Sequence, residues 1–251
     1  MGASRKSENT DKKPNRFLSV LKVALLLIAV IISSATLAVT AVIIIAYNSQ
    51  TQASQEEYEP LRELVEDLEP EPPFISEFDA EMRSINPDYI CWIKIEGSNV
   101  DYPVVRGDDN EKYLDLSFYG EENYLGALFM DYRCVGEFVP HIIIYGHNGR
   151  QGDLFGELWR FLDEQYMEEN SIITLIVNDR IVEYEIFSAR ITTVFDPAYQ
   201  LDFSVPGYFD NFLIRNSAPQ DATQIITLST CFGGDDKDER VLVQGTLLTD
   251  G

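Results

Sequence analysis

The chain has 251 residues, 45% hydrophobic and 12% aromatic, enough to fill one ordinary core and too many for a disordered protein. Its formal charge is −23, from 42 acidic against 19 basic residues, which excludes a phosphate-tracking nucleic-acid surface built on clustered cations. The three cysteines, Cys91, Cys134 and Cys231, leave at least one thiol unpaired, unlike the even count of a disulfide-stapled secreted domain.

The charge is unevenly spread. Residues 1–22 carry six basic side chains (Arg5, Lys6, Lys12, Lys13, Arg16 and Lys22) against Glu8 and Asp11, so the remainder carries −27. Residues 23–46 then run for 24 positions without a charge, which is enough to cross a bilayer, since about 20 apolar residues suffice. A cleaved secretory signal would have a shorter apolar stretch, roughly 7–15 residues, although Ser33, Ser34 and Ala35 are small enough for a cleavage site. We read 23–46 as an uncleaved, single-pass transmembrane helix. Lys and Arg remain on the cytoplasmic side, so 1–22 is expected inside the cell and the rest of the chain outside.

Residues 47–74 read as an acidic stalk. After the polar stretch 48–55, eight acidic residues from Glu56 to Glu71 are answered only by Arg62. Leu61, Leu64, Val65 and Leu68 recur at helical spacing, which predicts a short amphipathic helix with a solvated charged face, ended by the prolines of 69–73. A second helix is predicted over 75–85, stopped at Asn86-Pro87-Asp88. Short β-type runs follow at 90–96, 100–105, 125–132, 141–145, 172–177, 181–190, 224–229 and 241–247, with turn signals at Gly97-Ser98-Asn99 and Asn178-Asp179. Eight such strands predict a closed barrel or a sandwich. Two helical insertions interrupt them, one marked by Leu154, Leu158, Trp159, Phe161 and Leu162. The other follows Pro206 and is marked by Tyr208, Phe209, Phe212 and Leu213.

The chain has two histidines. His141 opens an apolar run and reads as a half-exposed strand residue. His147 follows the same run in Tyr145-Gly146-His147-Asn148-Gly149, where two glycines free the backbone, so it belongs on a loop at the mouth of the sheet. Cys231 closes another strand, Ile225 to Cys231, ahead of Phe232, two glycines and an Asp-rich loop. Arg240 opens the last strand nine residues later. Cations or an imidazole near a thiol favour the nucleophilic thiolate, and an imidazole can also protonate a leaving amine. An arginine can donate a fork of hydrogen bonds to a developing oxyanion. Taken alone, Arg240 also reads as a surface residue paired with Asp236 or Asp238. Cys91 and Cys134 read as inert buried thiols, with a bridge between them as the alternative.

Tyr145-Gly146-His147-Asn148, Thr227-Leu228-Ser229-Thr230-Cys231 and Arg240 opening a β-run together resemble the sortases. Asn86-Pro87-Asp88, Trp92-Ile93-Lys94-Ile95, Asp101-Tyr102-Pro103-Val104-Val105, Asp109-Asn110, Tyr113-Leu114 and Phe129-Met130-Asp131-Tyr132-Arg133 resemble the class B sortases in particular. The resemblance spans about residues 75–247. It implies a mainly β fold: an eight-stranded sortase-type barrel with N-terminal helices and a helical insertion before the cysteine strand, here forming a catalytic domain over 75–251. It implies a membrane-bound cysteine transpeptidase of Gram-positive bacteria. Such an enzyme cuts C-terminal sorting signals of secreted proteins and passes the acyl group to an amine of peptidoglycan or its lipid-linked precursor. By the family pattern Cys231 is the nucleophile, His147 the general acid/base and Arg240 the oxyanion or substrate stabiliser, with the Phe232 N–H completing the oxyanion hole. Asn110, Leu114, Tyr145 and Ser229 match positions lining the peptide groove. No metal or cofactor is implied. Cys91 departs from the pattern, standing where the family has a glycine before the tryptophan.

Four other readings compete. Within the family, joining pilin subunits differs only in the amine acceptor. A papain-like wall peptidase usually places its cysteine before its histidine, and an L,D-transpeptidase places the two close together, whereas here His147 precedes Cys231 by 84 residues. A tethered binding module or degenerate sortase would not need His147, Cys231 and Arg240 intact.

Overall fold

The computed structural model describes residues 16–66, 74–136, 139–149, 151–178, 180–232 and 238–248. The Arg5–Lys13 part of the basic flank, the proline-rich helix stop, Asp179 and most of the Asp-rich loop lie outside them. The chain divides into two units, 1–50 and 51–251.

In the first unit, helix α1 (Arg16–Glu66) carries an apolar segment from Val20 to Ser49, 30 residues of mean hydropathy 2.6 with none of it buried. It is long and apolar enough to cross a membrane. The helix does not end at the polar stretch 48–55 but continues with Pro60 inside it, so the short separate helix expected there is the end of one long helix. In the second unit Tyr58 and Leu61 are buried in the barrel's core. Tyr58 meets the Tyr102 ring edge-on at 5.3 Å, and the Arg62 guanidinium lies 4.7 Å from the centre of that same ring. Residues 58–62 of the acidic segment are therefore solvated on one face only, and their other face is fixed to the barrel.

Eight strands follow: β1 (Tyr89–Ile95), β2 (Asp101–Val105), β3 (Leu128–Met130), β4 (His141–Tyr145), β5 (Ile172–Val177), β6 (Arg180–Thr193), β7 (Ile225–Cys231) and β8 (Glu239–Leu247). They close into a barrel in the order β1-β2-β3-β4-β7-β8-β6-β5, which leaves no edge to pair with another chain. The β2–β3 and β4–β7 pairs are parallel and the rest antiparallel. Both sides of β1 are covered, because helix α2 (Phe74–Ile85) packs Phe78 against Tyr89 and Trp92 at ring separations of 6.5 and 6.0 Å. Cys91 is fully buried there, and the β1–β2 register shifts just before it, between Tyr89 and Cys91.

The first insertion, expected as one helix marked from Leu154 to Leu162, is a 3-10 helix over Leu158–Leu162 only, with Leu154 ahead of it at φ +53°, and helix α3 (Glu164–Glu169) follows. Asp163 divides them: its side chain accepts the Tyr166 N–H at 2.9 Å and starts a new N-terminus. Helix α4 (Tyr208–Arg215) is the second insertion, and it buries Phe212 and Leu213 with Ala218 and Ile225 in a satellite cluster outside the barrel. That cover explains β7. Its alternate residues Ile226 and Leu228 enter the main core, while Ile225 enters the satellite cluster, so six consecutive residues are buried and Cys231 is the first exposed one.

Candidate active site

The site is assembled by register. In the parallel β4–β7 pair Tyr145 lies opposite Ser229, and the Gly146 N–H donates to the Ser229 carbonyl at 3.2 Å. His147 and Cys231 each lie two residues beyond that pair, so both leave the same end of the barrel from strands about 5 Å apart. On the other side, Arg240 is the Cα partner of Cys231 in the antiparallel β7–β8 ladder. Successive neighbours β4, β7 and β8 thus present an imidazole, a thiol and a guanidinium.

Each has local support. The His147 Nε2–H donates to the Leu114 carbonyl at 2.8 Å, since a carbonyl only accepts, and this fixes the ring's orientation. Gly146 is needed at the bend: a Cβ there would lie 2.3 Å from a Leu128 methyl and 2.9 Å from the Phe155 ring. Cys231 is exposed, whereas Cys91 and Cys134 are buried; all three are free thiols, so no bridge joins the latter two. Burial pushes the Cys91 thiol up and the Cys134 thiol up to about 11, which keeps both protonated and unreactive. Arg240 donates from Nη1 to the Glu239 carbonyl at 2.8 Å. The same carbonyl accepts the Phe232 N–H at 3.2 Å, so that amide belongs to the strand ladder and is not turned toward the thiol as an oxyanion donor.

The other singled-out residues fall around this row. Asn110 donates to the Asp131 carboxylate at 3.0 Å and accepts the Tyr132 N–H at 3.0 Å. The Tyr145 hydroxyl donates to the same carboxylate oxygen at 3.0 Å, and Arg133 pairs with it at 2.7 Å. Burial alone would raise the Asp131 carboxyl, but hydrogen bonds from Arg133 and Asn110 outweigh it and hold the group below the usual range. The ionised, fully buried Asp131 therefore ties Asn110 on one loop to Tyr145 on β4. Ser229 is buried, and its hydroxyl bonds that of Tyr199 at 2.8 Å. The Tyr199 ring stacks on Tyr145 with centroids 6.4 Å apart and planes 5° apart. Tyr199 also lies within electrostatic reach of Arg240 and Cys231, and burial raises its phenol.

Tyr199 was not among the expected residues. It sits on a short 3-10 helix, Pro197–Tyr199, capped by Asp196, whose side chain accepts the Ala198 N–H at 2.8 Å. The Asp-Pro pair before it is a legible N-cap signal, but nothing local says that the turn lands against Ser229. His141 also departs from its reading: it is fully buried, with Nδ1 2.8 Å from the Gln200 carbonyl and Nε2 2.8 Å from the Thr227 hydroxyl. The carbonyl requires a proton on Nδ1, so Thr227 donates to Nε2 and accepts from Gln244 at 3.0 Å. Burial drives the His141 ring down to about 4, so it is a neutral structural residue.

Residues 93–248 match the model of the sortase domain family. The chain is 29% identical over 180 residues to sortase B of Listeria monocytogenes, covering 67% of this chain and 73% of that protein. Among solved structures it resembles the Staphylococcus aureus sortase B–substrate complex with a TM-score of 0.70 at 26% identity, covering 81% of this chain and all of the other. A sortase B complexed with triglycine gives a TM-score of 0.71 at 25% identity, with 80% of this chain and all of the other covered.

Proposed function

Because this chain belongs to the sortase family, as a cysteine transpeptidase of the class B type, we propose that Cys231 is its nucleophile, His147 its proton carrier and Arg240 its oxyanion stabiliser. The observation that carries this assignment is the row His147, Cys231, Arg240 across three adjacent strand ends, with Cys231 the exposed thiol.

The thiolate sulfur of Cys231 attacks the scissile carbonyl carbon, forming a C–S bond while the carbonyl electron pair moves to oxygen. Arg240 donates hydrogen bonds to that oxyanion, for which a guanidinium offers a fixed fork of N–H donors. Collapse breaks the C–N bond, and the leaving amine takes a proton from the His147 imidazolium. The thioester is then attacked by an acceptor amine, which returns a proton to His147 as the thiolate departs. Leu114 holds the ring in place through its carbonyl. Asn110 and Tyr145 line the groove for the peptide, while Ser229, expected there too, is buried beneath it and holds Tyr199, which closes one side. Phe232 serves through its half-buried side chain, since its amide is occupied.

The substrates are secreted proteins bearing C-terminal sorting signals, and the acceptor is an amine of peptidoglycan or its lipid-linked precursor. The relatives described as a substrate complex and a triglycine complex support a peptide donor and an amine acceptor. Residues 23–46 anchor the protein in the cell membrane, with 1–22 cytoplasmic, 47–74 a linking segment and 75–251 the extracellular catalytic domain. The uncharged span and its basic flank support that orientation. The test is a peptide panel comparing Asn-Pro-x-Thr-x with Leu-Pro-x-Thr-x sequences in the presence of triglycine. Cleavage with amine ligation by the wild type, lost in Cys231→Ala, is expected. Cleavage that survives in Cys231→Ala overturns the assignment.

A further inference from the structure

The turn that presents Tyr199 is fastened at both ends. At its start, Asp196 caps the 3-10 helix and is held by Arg190 of β6, whose Nη2 lies 2.8 Å from Oδ1, and by the Thr192 hydroxyl at 2.6 Å from Oδ2. At its end, the Gln200 carbonyl accepts from His141 at 2.8 Å. The two fastenings join beneath the turn. Arg190 donates to Gln244 on β8 at 2.6 Å, Gln244 donates to Thr227 on β7 at 3.0 Å, and Thr227 bonds His141 on β4 at 2.8 Å. Arg190 also donates to the Asn216 side-chain oxygen at the end of α4 at 2.8 Å. The result is a closed ring: Arg190, Gln244, Thr227, His141, the Gln200 carbonyl, the turn, Asp196 and back to Arg190. It ties together strands β6, β8, β7 and β4.

We infer that Arg190, acting through Asp196, is a positioning residue for the transpeptidase site: it locks the 196–200 turn so that Tyr199 stays on Ser229 and Tyr145, beside Cys231. This rests on the function proposed above only for its catalytic consequence; the lock itself is a property of the fold. Three features make Arg190 the controlling member. It is the one cation of the ring, it bonds Asp196, Gln244 and Asn216 at once, and its fork is matched to the Asp196 carboxylate in a way lysine cannot copy. Ser188 gives the same guanidinium a further partner at 3.3 Å. Arg190 has no hydrogen bond to Cys231, Tyr145 or Ser229; its route to the site through Asp196 and Tyr199 is separated from a route through Gln244 and the strands by a Tyr199→Ala background.

The experiment uses the full chain in detergent, with Arg190→Gln, Arg190→Lys and the milder Asp196→Asn, each alone and in a Tyr199→Ala background. Amide hydrogen exchange over 196–200 reads the lock directly. An increase of about tenfold in Arg190→Gln, with the β4 and β7 core strands unchanged, is expected of a local opening. Peptide cleavage reads the consequence: KM should rise by about tenfold in Arg190→Gln, with kcat within about threefold, and the effect should vanish when Tyr199 is already alanine, as coupled residues require. Asp196→Asn should give the same pattern to a smaller degree, and lysine at 190 should not restore it. In the proteins that keep Tyr199, the rate of Cys231 alkylation by iodoacetamide should stay within about twofold of wild type, because the substitutions at 190 and 196 leave the thiol's own neighbours in place. Unchanged exchange over 196–200, or an equal loss of cleavage in both Tyr199 backgrounds, overturns the inference. A wild type that cleaves no sorting peptide would overturn the function while the exchange measurement still decides the lock.

Discussion

Lowering the pH should unfold this protein partly through one side chain, His141. In the folded chain the ring is neutral, with its pKa pushed down to about 4, because full burial disfavours its charged form and outweighs the bond to the Gln200 carbonyl, which favours it. In the unfolded chain the same ring titrates near the ordinary value of about 6.5. Above about pH 6.5 neither state is protonated and the group is without effect. Between about 6.5 and 4 the unfolded state binds a proton that the folded state excludes, so stability falls by about 1.4 kcal/mol per pH unit, to a total of about 3 kcal/mol. The comparison is urea unfolding of the full chain in detergent, followed by the aromatic signal of the barrel, for wild type and His141→Gln. Glutamine still donates to one partner and accepts from the other but does not titrate. Any offset in its absolute stability cancels in the pH dependence, as do the many carboxylates common to both proteins. The wild type should lose about 2–3 kcal/mol relative to the variant between about pH 7 and pH 4.5. Parallel curves would refute the reasoning, since they would mean that the folded ring accepts a proton freely.

Four further outcomes follow from the geometry. Cys91→Ser and Cys134→Ser should lower the unfolding midpoint while retaining cleavage, because both thiols are buried and away from the strand-end row; loss of turnover in a folded Cys134→Ser protein would contradict this. Arg240→Lys should cut kcat by about 10²–10³, the cost of losing an oxyanion donor, while Cys231 remains alkylatable by iodoacetamide. Gly146→Ala, with its Cβ 2.3 Å from Leu128, should cost about 1–3 kcal/mol in urea unfolding and displace His147, so cleavage should fall further than for an equally destabilised variant elsewhere. Protease added to wall-stripped cells should digest the chain beyond residue 50 and spare its first twenty residues; protection of the barrel would reverse the proposed orientation.

Much of this was legible in the chain because it rests on local pattern. All eight strands lie within three residues of their expected bounds. β3 is the most shortened, to Leu128–Met130 from the expected 125–132, because Gly126 at φ +61° makes a turn before it and the chain turns again just after it, where the Asp131 side chain accepts the Arg133 N–H at 3.0 Å and its carbonyl accepts the Cys134 N–H at 2.9 Å. His147, Cys231 and Arg240 could be singled out because each closes or opens a strand. What brings them into one row is the order β4-β7-β8, and no local signal contains a strand order. The same limit hid Tyr199 and the buried role of His141, whose partners are 30 and 86 residues away. The continuity of α1 was hidden differently: the polar residues 48–55 look like a break, and the burial of Tyr58 and Leu61 that holds the following turns is a tertiary effect.

The central claim is that a thioester forms on Cys231. Intact-mass and peptide-level mass spectrometry of the full chain, incubated with a cleavable sorting peptide and no amine, reads it directly. The account predicts one adduct with the mass of the peptide's N-terminal fragment, carried by the tryptic peptide containing Cys231, removed by hydroxylamine or triglycine and absent from Cys231→Ala. Cleavage with no such adduct, or an adduct on Cys91 or Cys134, would contradict it.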